Sequence, residues 1–587
     1  MKIIIIKLLR LGIYLLIITF ITQLKQFQQF ANAQSTPDGG VIIKRNIPQR
    51  VEETIPKPRE TFPPPRIEPS KTPSLQLPSP SINIPLQPDS PRNELINIRK
   101  IEVLGNTVLQ VEINQLLKKY INCQQKVCPT AFEEVVQLRS DITQLYIKNG
   151  YQTSGAFILN NQFTESGIVQ IQVVEGELER IEIKGLSRLQ EDYVRSRLQL
   201  ATKAPLNLKR LEESLQLLQL DPLLQQVNAR LIAGTTPGRS ILQVNLKEAI
   251  AFNAGIVIDN YQSPSIGSLQ GAVFVNHNNL SGFGDQFNAE YGLTRGLDIY
   301  NVSYKIPLNA LDGTFNFRYN KNNSQIVSDL FADLGIQSNS ETFSFALRQP
   351  LVKKPNTEVT LGLSLDIRSN QTFLFNDIPF SFSEEAEKGK SRVSVIRFSQ
   401  DWLQRNPRQV IALRSQFSFG IGAFDATINN TGIDGRFFTW LGQFQWVQEL
   451  SPNTLMIAKI NTQLTPDALL SLEKIGVGGI DTVRGYRQNQ LVADNGIIGS
   501  VEFRIPVTSN PNLLQIRPFF DIGTAWNNKD FNPNPQTIAG LGLGLNLQPI
   551  QNLFLSLDYG IPLIAAKKEG NSLQENGLYF SVRYQPF

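Results

Sequence analysis

From about residue 249 to residue 587 the chain alternates apolar and polar residues with a period of two, segment after segment. Phe287, Ala289, Tyr291 and Leu293 alternate with Asn288, Glu290 and Gly292, and Tyr300, Val302, Tyr304 and Ile306 with Asn301, Ser303 and Lys305. Phe315, Phe317 and Tyr319 flank Asn316 and Arg318, and Val359 to Ile367 repeats the pattern over nine residues. Successive side chains of a strand point to opposite faces, so each segment presents one apolar and one polar face. A soluble β-sandwich alternates too. Three features favour a transmembrane barrel. Residues 249–587 are too many for one sandwich, the polar faces carry groups that do not tolerate burial, and aromatics gather near segment ends, where an interfacial girdle places them. At roughly twenty residues per strand and connection, this length predicts an antiparallel barrel of about 16 strands. Each strand needs about nine to eleven residues to cross the membrane.

Composition agrees. Hydrophobic residues make up 41% of the chain, low for a bundle of membrane helices, and the one apolar stretch lies at the N-terminus. Residues 1–33 read as a secretory signal, with Lys2, Lys7 and Arg10 ahead of the uncharged run Leu11 to Thr22. Ala31-Asn32-Ala33 fits the small-x-small cleavage rule and places the mature start at Gln34. Residues 34–94 form a proline-rich segment and linker. Fourteen of the 34 prolines fall between residues 37 and 92, which predicts an extended spacer without helix or sheet. The net charge of +5 comes from 56 basic and 51 acidic residues without a like-charge block, so nothing points to nucleic acid.

Between linker and barrel the pattern β-α-α-β-β occurs twice, in residues 95–176 and 177–248. In the first copy a strand over Ile98–Val103 ends at Gly105-Asn106, helices follow over Val111–Tyr120 and Phe132–Lys148, and strands over Thr153–Leu159 and Gly167–Val173. In the second, the strand Leu178–Ile183 ends at Gly185, helices cover Glu191–Leu200 and Leu208–Leu218, and strands cover Val227–Ala233 and Ile241–Leu246. The openings Ile-Glu-Val-Leu-Gly105 and Ile-Glu-Ile-Lys-Gly185 mark the repeat. Cys123 and Cys128 are the only cysteines. In an exported chain they are expected to close a small disulfide loop in the first copy. A metal site would need two further ligands. The single histidine, His277, is far away in a predicted loop, which also argues against a catalytic triad. No metal, cofactor or catalytic residue is expected, and no G-x-x-x-x-G-K-[ST] nucleotide loop is present.

Two motifs near the C-terminus are more specific. Val483-Arg484-Gly485-Tyr486 follows Gly476-Val477-Gly478-Gly479-Ile480-Asp481-Thr482, and Phe519-x-Asp521-x-Gly523 comes about 35 residues after the arginine. With the signal, the proline-rich segment, the two modules and the barrel, they make the chain resemble the two-partner secretion transporters of the ShlB/FhaC/HecB haemolysin secretion/activation type. That family shares a superfamily with outer-membrane assembly factors and the chloroplast import channel. The resemblance implies that the modules are POTRA domains, that the first motif tips a loop folded back into the barrel, and that the second lies on a wall strand facing the lumen. An arginine held inside a protein seeks a planar carboxylate, so Arg484 and Asp521 are expected to form a partly buried pair. Gly485 permits the tight tip. The terminal Phe587 resembles the signal read by the barrel-assembly machinery, although it is out of phase with Leu578, Phe580, Val582 and Tyr584. Gly39 to Glu53, interrupted by Pro48, is the only candidate for the plug helix that relatives often carry.

By the same resemblance the protein sits in outer-membrane lipid with its POTRA modules in the periplasm. There it would capture an unfolded, large, β-helical partner exoprotein and pass it through the barrel. An assembly factor of the same superfamily is the alternative, and a passive porin is a more distant one.

Overall fold

The computed structural model describes residues 74–76, 95–120, 128–159, 167–328, 331–382, 388–430 and 433–586. The expected signal, the candidate plug segment Gly39 to Glu53, Cys123 with its disulfide, and Phe587 lie outside these residues.

The first module runs through β2 (Leu95–Ile98), β3 (Lys100–Leu104), α1 (Gln110–Tyr120), β4 (Cys128–Ala131), α2 (Phe132–Lys148), β5 (Gly155–Ile158) and β6 (Ile168–Val174), after an isolated strand β1 (Ser74–Gln76) in the linker. Its sheet has the order β3-β6-β5, with β3 and β6 parallel. The second module comprises β7 (Glu177–Lys184), α3 (Glu191–Gln199), α4 (Leu208–Gln219), β8 (Leu224–Ala233) and β9 (Arg239–Glu248), with sheet order β1-β8-β9-β7. The predicted element order therefore holds in both modules, with two corrections. What reads as one strand over Ile98–Val103 is split at Arg99, because Leu95–Ile98 turns away to pair with Cys128–Ala131. And the linker, read as incapable of sheet, contributes β1 to the edge of the second module.

Each module buries its helical stripe against its sheet. In α2 the residues Val135, Leu138, Ile142 and Tyr146 recur at helical spacing and pack on Val169, Ile171 and Val173 of β6. In α4 the stripe is Leu208, Leu211, Leu215 and Leu218, packed on Val227, Ala229 and Leu231 of β8. Both modules close the same way. Glu175, just after β6, accepts the backbone N–H groups of Thr107 (2.7 Å) and Val108 (3.1 Å) that follow the opening glycine Gly105. Glu248, at the end of β9, accepts those of Ser187, Arg188 and Leu189 after Gly185, at 2.6, 2.9 and 3.0 Å.

The barrel is closed and antiparallel. Its strands are β10 (Phe252–Asp259), β11 (Gln270–Asn278), β12 (Gln286–Thr294), β13 (Leu297–Pro307), β14 (Thr314–Gln325), β15 (Gln337–Lys354) and β16 (Thr357–Leu374). A two-residue strand β17 (Ile378–Pro379) sits in a loop, and the wall continues with β18 (Lys390–Asn406), β19 (Gln409–Ile421), β20 (Phe438–Ser451) and β21 (Thr454–Leu464). The loop hairpin β22 (Ile475–Val477) and β23 (Leu491–Ala493) follows, then wall strands β24 (Asn495–Pro506), β25 (Leu514–Trp526), β26 (Thr537–Ile550), β27 (Leu553–Pro562) and β28 (Leu578–Tyr584). Without the loop strands β17, β22 and β23, sixteen strands form the wall, the number expected. The seam between β28 and β10 has only four residue pairs, from Ile256↔Tyr584 to Asp259↔Ser581. Asn260 extends it, donating to Leu578 O (2.9 Å) and accepting from Phe580 N (2.8 Å).

Alternation behaves as the period of two demands. On β25, Arg517, Phe519, Asp521 and Gly523 are buried toward the interior while Phe520 and Ile522 are exposed outward. His277, read as a loop residue, instead lies in β11, paired with Phe252 and Phe287. The flanking asparagines suggest a turn, but the ladder runs on to Asn278 and the turn falls after it. The connections at the module end of the barrel are short turns such as 355–356 and 407–408. Most of those at the far end are longer, up to residues 465–494 between β21 and β24, with the two-residue turn 295–296 between β12 and β13 the exception.

The second module touches those short turns. Arg197 of α3 stacks on the Tyr193 ring, with 3.4 Å from its guanidinium carbon to the centroid, and donates from Nε to Asp312 in the β13–β14 turn at 2.9 Å. Gln190 N donates to Gly282 O (2.9 Å) in the β11–β12 turn. Gly284 has room only for hydrogen there, since a Cβ would stand 2.4 Å from the Tyr193 ring.

Candidate functional site

The long loop 465–494 starts at the end of the barrel far from the modules and folds back into the lumen. Its limbs pair as β22 and β23, from Ile475↔Ala493 to Val477↔Leu491. Gly478 and Gly479, at φ +115° and +96°, then turn the chain into the tip, where Gly478 N donates to Thr482 Oγ1 at 2.7 Å. Val483 and Tyr486 pack with Val477, Leu491 and Ala493 against Ile498, Ala525 and Ile538 of the wall. The tip is thus a small hydrophobic core inside the barrel.

Arg484 is held within it by a cage of acids. Its Nε and Nη2 meet Asp521 Oδ2 and Oδ1 at 2.7 and 3.0 Å, a bidentate contact. Nη1 donates to Glu502 Oε2 at 2.7 Å and lies 3.4 Å from Asp558 Oδ1. The guanidinium carbon sits 3.4 Å over the centre of the Phe519 ring, a stacked cation–π geometry. Ser500 donates to Asp521 at 2.6 Å, and Arg517 of β25 donates to Asp558 at 2.6 Å, so the carboxylates have further partners. Residue exposure is 6% for Arg484 and 0% for Asp521, so the pair is fully buried where partial burial was expected. The difference comes from Glu502, Asp558 and Phe519, which close over it from β24, β27 and β25.

The backbone of the tip lies directly on the wall, and glycines make this possible. Gly485, at φ +101°, lies against the backbone of β27. A Cβ on Gly540 would stand 2.0 Å from Arg484 O, and one on Gly560 2.5 Å from Gly485 N. The Tyr579 hydroxyl of β28 accepts from Gly485 N at 3.0 Å and donates to Tyr486 O. The Tyr486 hydroxyl lies 2.8 Å from both Ala539 O and Ile564 O and accepts from Ile564 N at 3.1 Å. The tip therefore bridges β24, β25, β26, β27 and β28.

A second cluster fixes the root of the same loop to another part of the wall. Glu473 meets Arg368 Nη1 of β16 at 2.8 Å and Arg397 Nη2 of β18 at 3.0 Å. Arg397 also donates to Asp366 at 2.6 Å and to Ser418 of β19 at 2.9 Å, and all four charged groups are buried. Beside them Leu469, Leu470 and Leu472 pack on Val393, Val395 and Phe437.

The predicted motif residues thus meet at one place, and Gly523 lies under the tip, where a Cβ would stand 2.5 Å from Val477 Cγ1 and 3.0 Å from Val483 Cγ2. Sequence reasoning missed Glu502, Asp558, Arg517, Tyr579, Glu473 and the two wall glycines. The acids carried a signal. Glu502 and Asp558 occupy the polar phase of alternating strands between apolar neighbours, as in Leu557-Asp558-Tyr559, and a charge there faces the interior.

The fold and site define a closed sixteen-strand barrel with a buried arginine loop, preceded by two small α+β modules. Residues 238–547 match the family model of the haemolysin secretion/activation protein ShlB/FhaC/HecB, and residues 96–176 match the ShlB-type POTRA domain. The chain belongs to the ShlB/FhaC/HecB family. It is 21% identical over 484 residues to the outer membrane transporter CdiB of Dickeya dadantii, covering 79% of this chain and 83% of that one. It is 22% identical over 523 residues to the heme/hemopexin transporter protein HuxB of Haemophilus influenzae, covering 85% and 89%. Among solved structures, CdiB from Escherichia coli superposes with a TM-score of 0.64 at 19% identity, over 86% of this chain and 93% of that one. BamA from Haemophilus ducreyi, lacking POTRA domains 1–3, superposes with a TM-score of 0.51 at 14% identity, over 84% and 100%. These two likenesses are of fold. The protein is located in the outer membrane, with the POTRA modules on its periplasmic side. The long loops, the arginine loop among them, accordingly start at the cell surface.

Proposed function

We propose that the protein captures one unfolded partner exoprotein in the periplasm and secretes it through its barrel. The observation that carries this reading is the arginine loop docked in the lumen of a barrel that has POTRA modules at its periplasmic mouth. A passive porin needs neither. The relatives CdiB and HuxB, transporters by name and matched over most of their length, support the same reading. The modules offer sheet edges to an extended chain, a mode of recognition that uses main-chain hydrogen bonds and tolerates varied sequence. The loop, held by buried ion pairs at tip and root, sets the shape of the passage. The partner folds outside, and its folding supplies the direction of transport. The test is secretion of a partner exoprotein by wild type and by Arg484→Ala, normalised to transporter level in the outer membrane. A variant that inserts normally and secretes at the wild-type rate removes the loop from the mechanism.

A further inference from the structure

The docked loop occupies one side of the lumen. Its tip rests on β24 to β28 and its root on β16 and β18. A barrel of sixteen strands is wide enough to leave an aqueous channel beside it. Strand register identifies what lines the remaining arc, because cross-strand partners share a face. Arg318 of β14 pairs with Ser344 of β15, and Ser344 donates at 2.7 Å to Asp366, the acid that holds Arg397 in the root cluster. Arg318 therefore faces the lumen. Lys459 of β21 pairs with Ser500 of β24, which donates to Asp521 beneath Arg484, so Lys459 faces inward as well. Both residues are exposed although they point away from lipid, and among the described residues neither has an ion-pair partner.

Their surroundings carry the same sign. On the lumen face of β12 to β15, Lys305, Arg318 and Arg348 stand against a single acid among the described residues, Glu290. Arg348 and Arg414 both turn to Asp401, so two cations share one carboxylate. Amides fill much of the rest. Asn301 pairs with Asn320, two residues from Arg318, and Gln445 lies opposite Lys459. Asn301 Oδ1 and Gln445 Nε2 are buried without a partner among the described residues. Such amides can give and take hydrogen bonds with an extended backbone whatever its side chains. The acids of the lumen, by contrast, are consumed by the loop: Asp521, Glu502 and Asp558 hold Arg484.

We propose that the open arc of the lumen is a cationic track, which conducts anions in preference to cations and favours acidic extended segments over basic ones. Rings and rows of arginine and lysine select anions by this means in other pores. The preference for acidic polypeptide rests on the secretion function proposed above, and the preference for anions does not.

The test uses the full-length transporter in planar lipid bilayers under a KCl gradient. Wild type should show a chloride-to-potassium permeability ratio of about three or more, since the fields of charge-lined clefts reach several kT. The ratio should rise as salt is lowered, because screening weakens. Arg318→Gln with Lys459→Gln should bring it toward unity, and Arg318→Glu with Lys459→Glu should invert it, with heat-modifiable migration confirming that each variant forms its barrel. A pore that prefers potassium, one whose preference is the same in the glutamate variant, or a transporter that carries no current would each overturn the track. Two decapeptides added to both chambers test the polypeptide preference. An alternating aspartate–asparagine peptide should block wild-type current at about tenfold lower concentration than a lysine–asparagine one, the return from one charge-assisted hydrogen bond. The glutamate variant should reverse that order. Equal block by the two peptides would overturn the preference for acidic segments. No exoprotein takes part, so failure here leaves the secretion reading standing, and a transporter that prefers anions but secretes nothing would overturn that reading alone.

Discussion

Without the Arg484 guanidinium, Asp521 and Asp558 would be left buried with less than their full counter-charge. Breaking one partner of a buried pair costs about 3–5 kcal/mol, largely the penalty of the stranded charge. Arg484→Ala should therefore release the tip, and Arg484→Lys should restore only part of the docking, since an ammonium cannot make the bidentate contact to Asp521. Glu473→Gln tests the root separately. It should raise backbone hydrogen exchange at 469–474 while 483–486 stay protected, and loss of protection at both places together would show one cooperative unit instead of two anchors. At this scale the sequence was half legible. Arg484 and Asp521 could be paired through their motifs. Glu502, Asp558, Tyr579 and Glu473 could not, because each stands alone in an ordinary-looking strand or loop and acquires meaning only when barrel closure brings distant strands around one guanidinium.

The modules carry their own test in the two closing glutamates. Burial alone would raise the Glu175 carboxyl, but the hydroxyls of Thr107 and Tyr146 and the N–H groups of Thr107 and Val108 outweigh it and hold it below the ordinary glutamate range. Glu248 is depressed in the same way, burial opposed by the N–H groups of Ser187, Leu189 and Arg188. A carboxyl depressed in the folded state adds stability that is fully present above its unfolded value of about 4.3 and is lost as pH falls through the lower folded value. Protection of the Thr107, Val108 and Ser187 amides should hold at neutral pH and fall only below that range. Glu175→Ala should remove the Thr107 and Val108 protection at neutral pH, at a cost of about 1–3 kcal/mol to the first module. Retained protection in the variant would show that the carboxylate does not close the module. The expected Cys123–Cys128 disulfide is testable by mass spectrometry of the unreduced mature protein, where two free thiols would exclude it. Helices and strands of the modules were readable to within a few residues, since helical stripes and glycine stops are local signals. The linker strand was not. Its three residues have no pattern of their own, and only the exposed edge of β8 makes them a strand.

On the scale of the whole molecule, the period-two alternation carried the architecture, because each strand must put one face to lipid and one to the lumen, and the length of the alternating region carried the strand number. It could not place His277, where asparagines imitate a turn inside a strand. Nor could it show the contacts between the second POTRA module and the periplasmic turns, which depend on Arg197 meeting Asp312 across more than a hundred residues of sequence. A barrel closed from β10 to β28 leaves no wall strand unpaired, so unboiled protein should migrate on a gel differently from boiled protein. Identical mobility would contradict the closed barrel. Whether the docked arginine loop serves secretion is tested by partner exoprotein in the medium per unit of transporter in the outer membrane, for wild type, Arg484→Ala and Arg484→Lys. The predicted result is normal membrane levels of all three, a severe loss of secretion for Arg484→Ala and partial recovery for Arg484→Lys. Wild-type secretion by a normally inserted Arg484→Ala variant would contradict it.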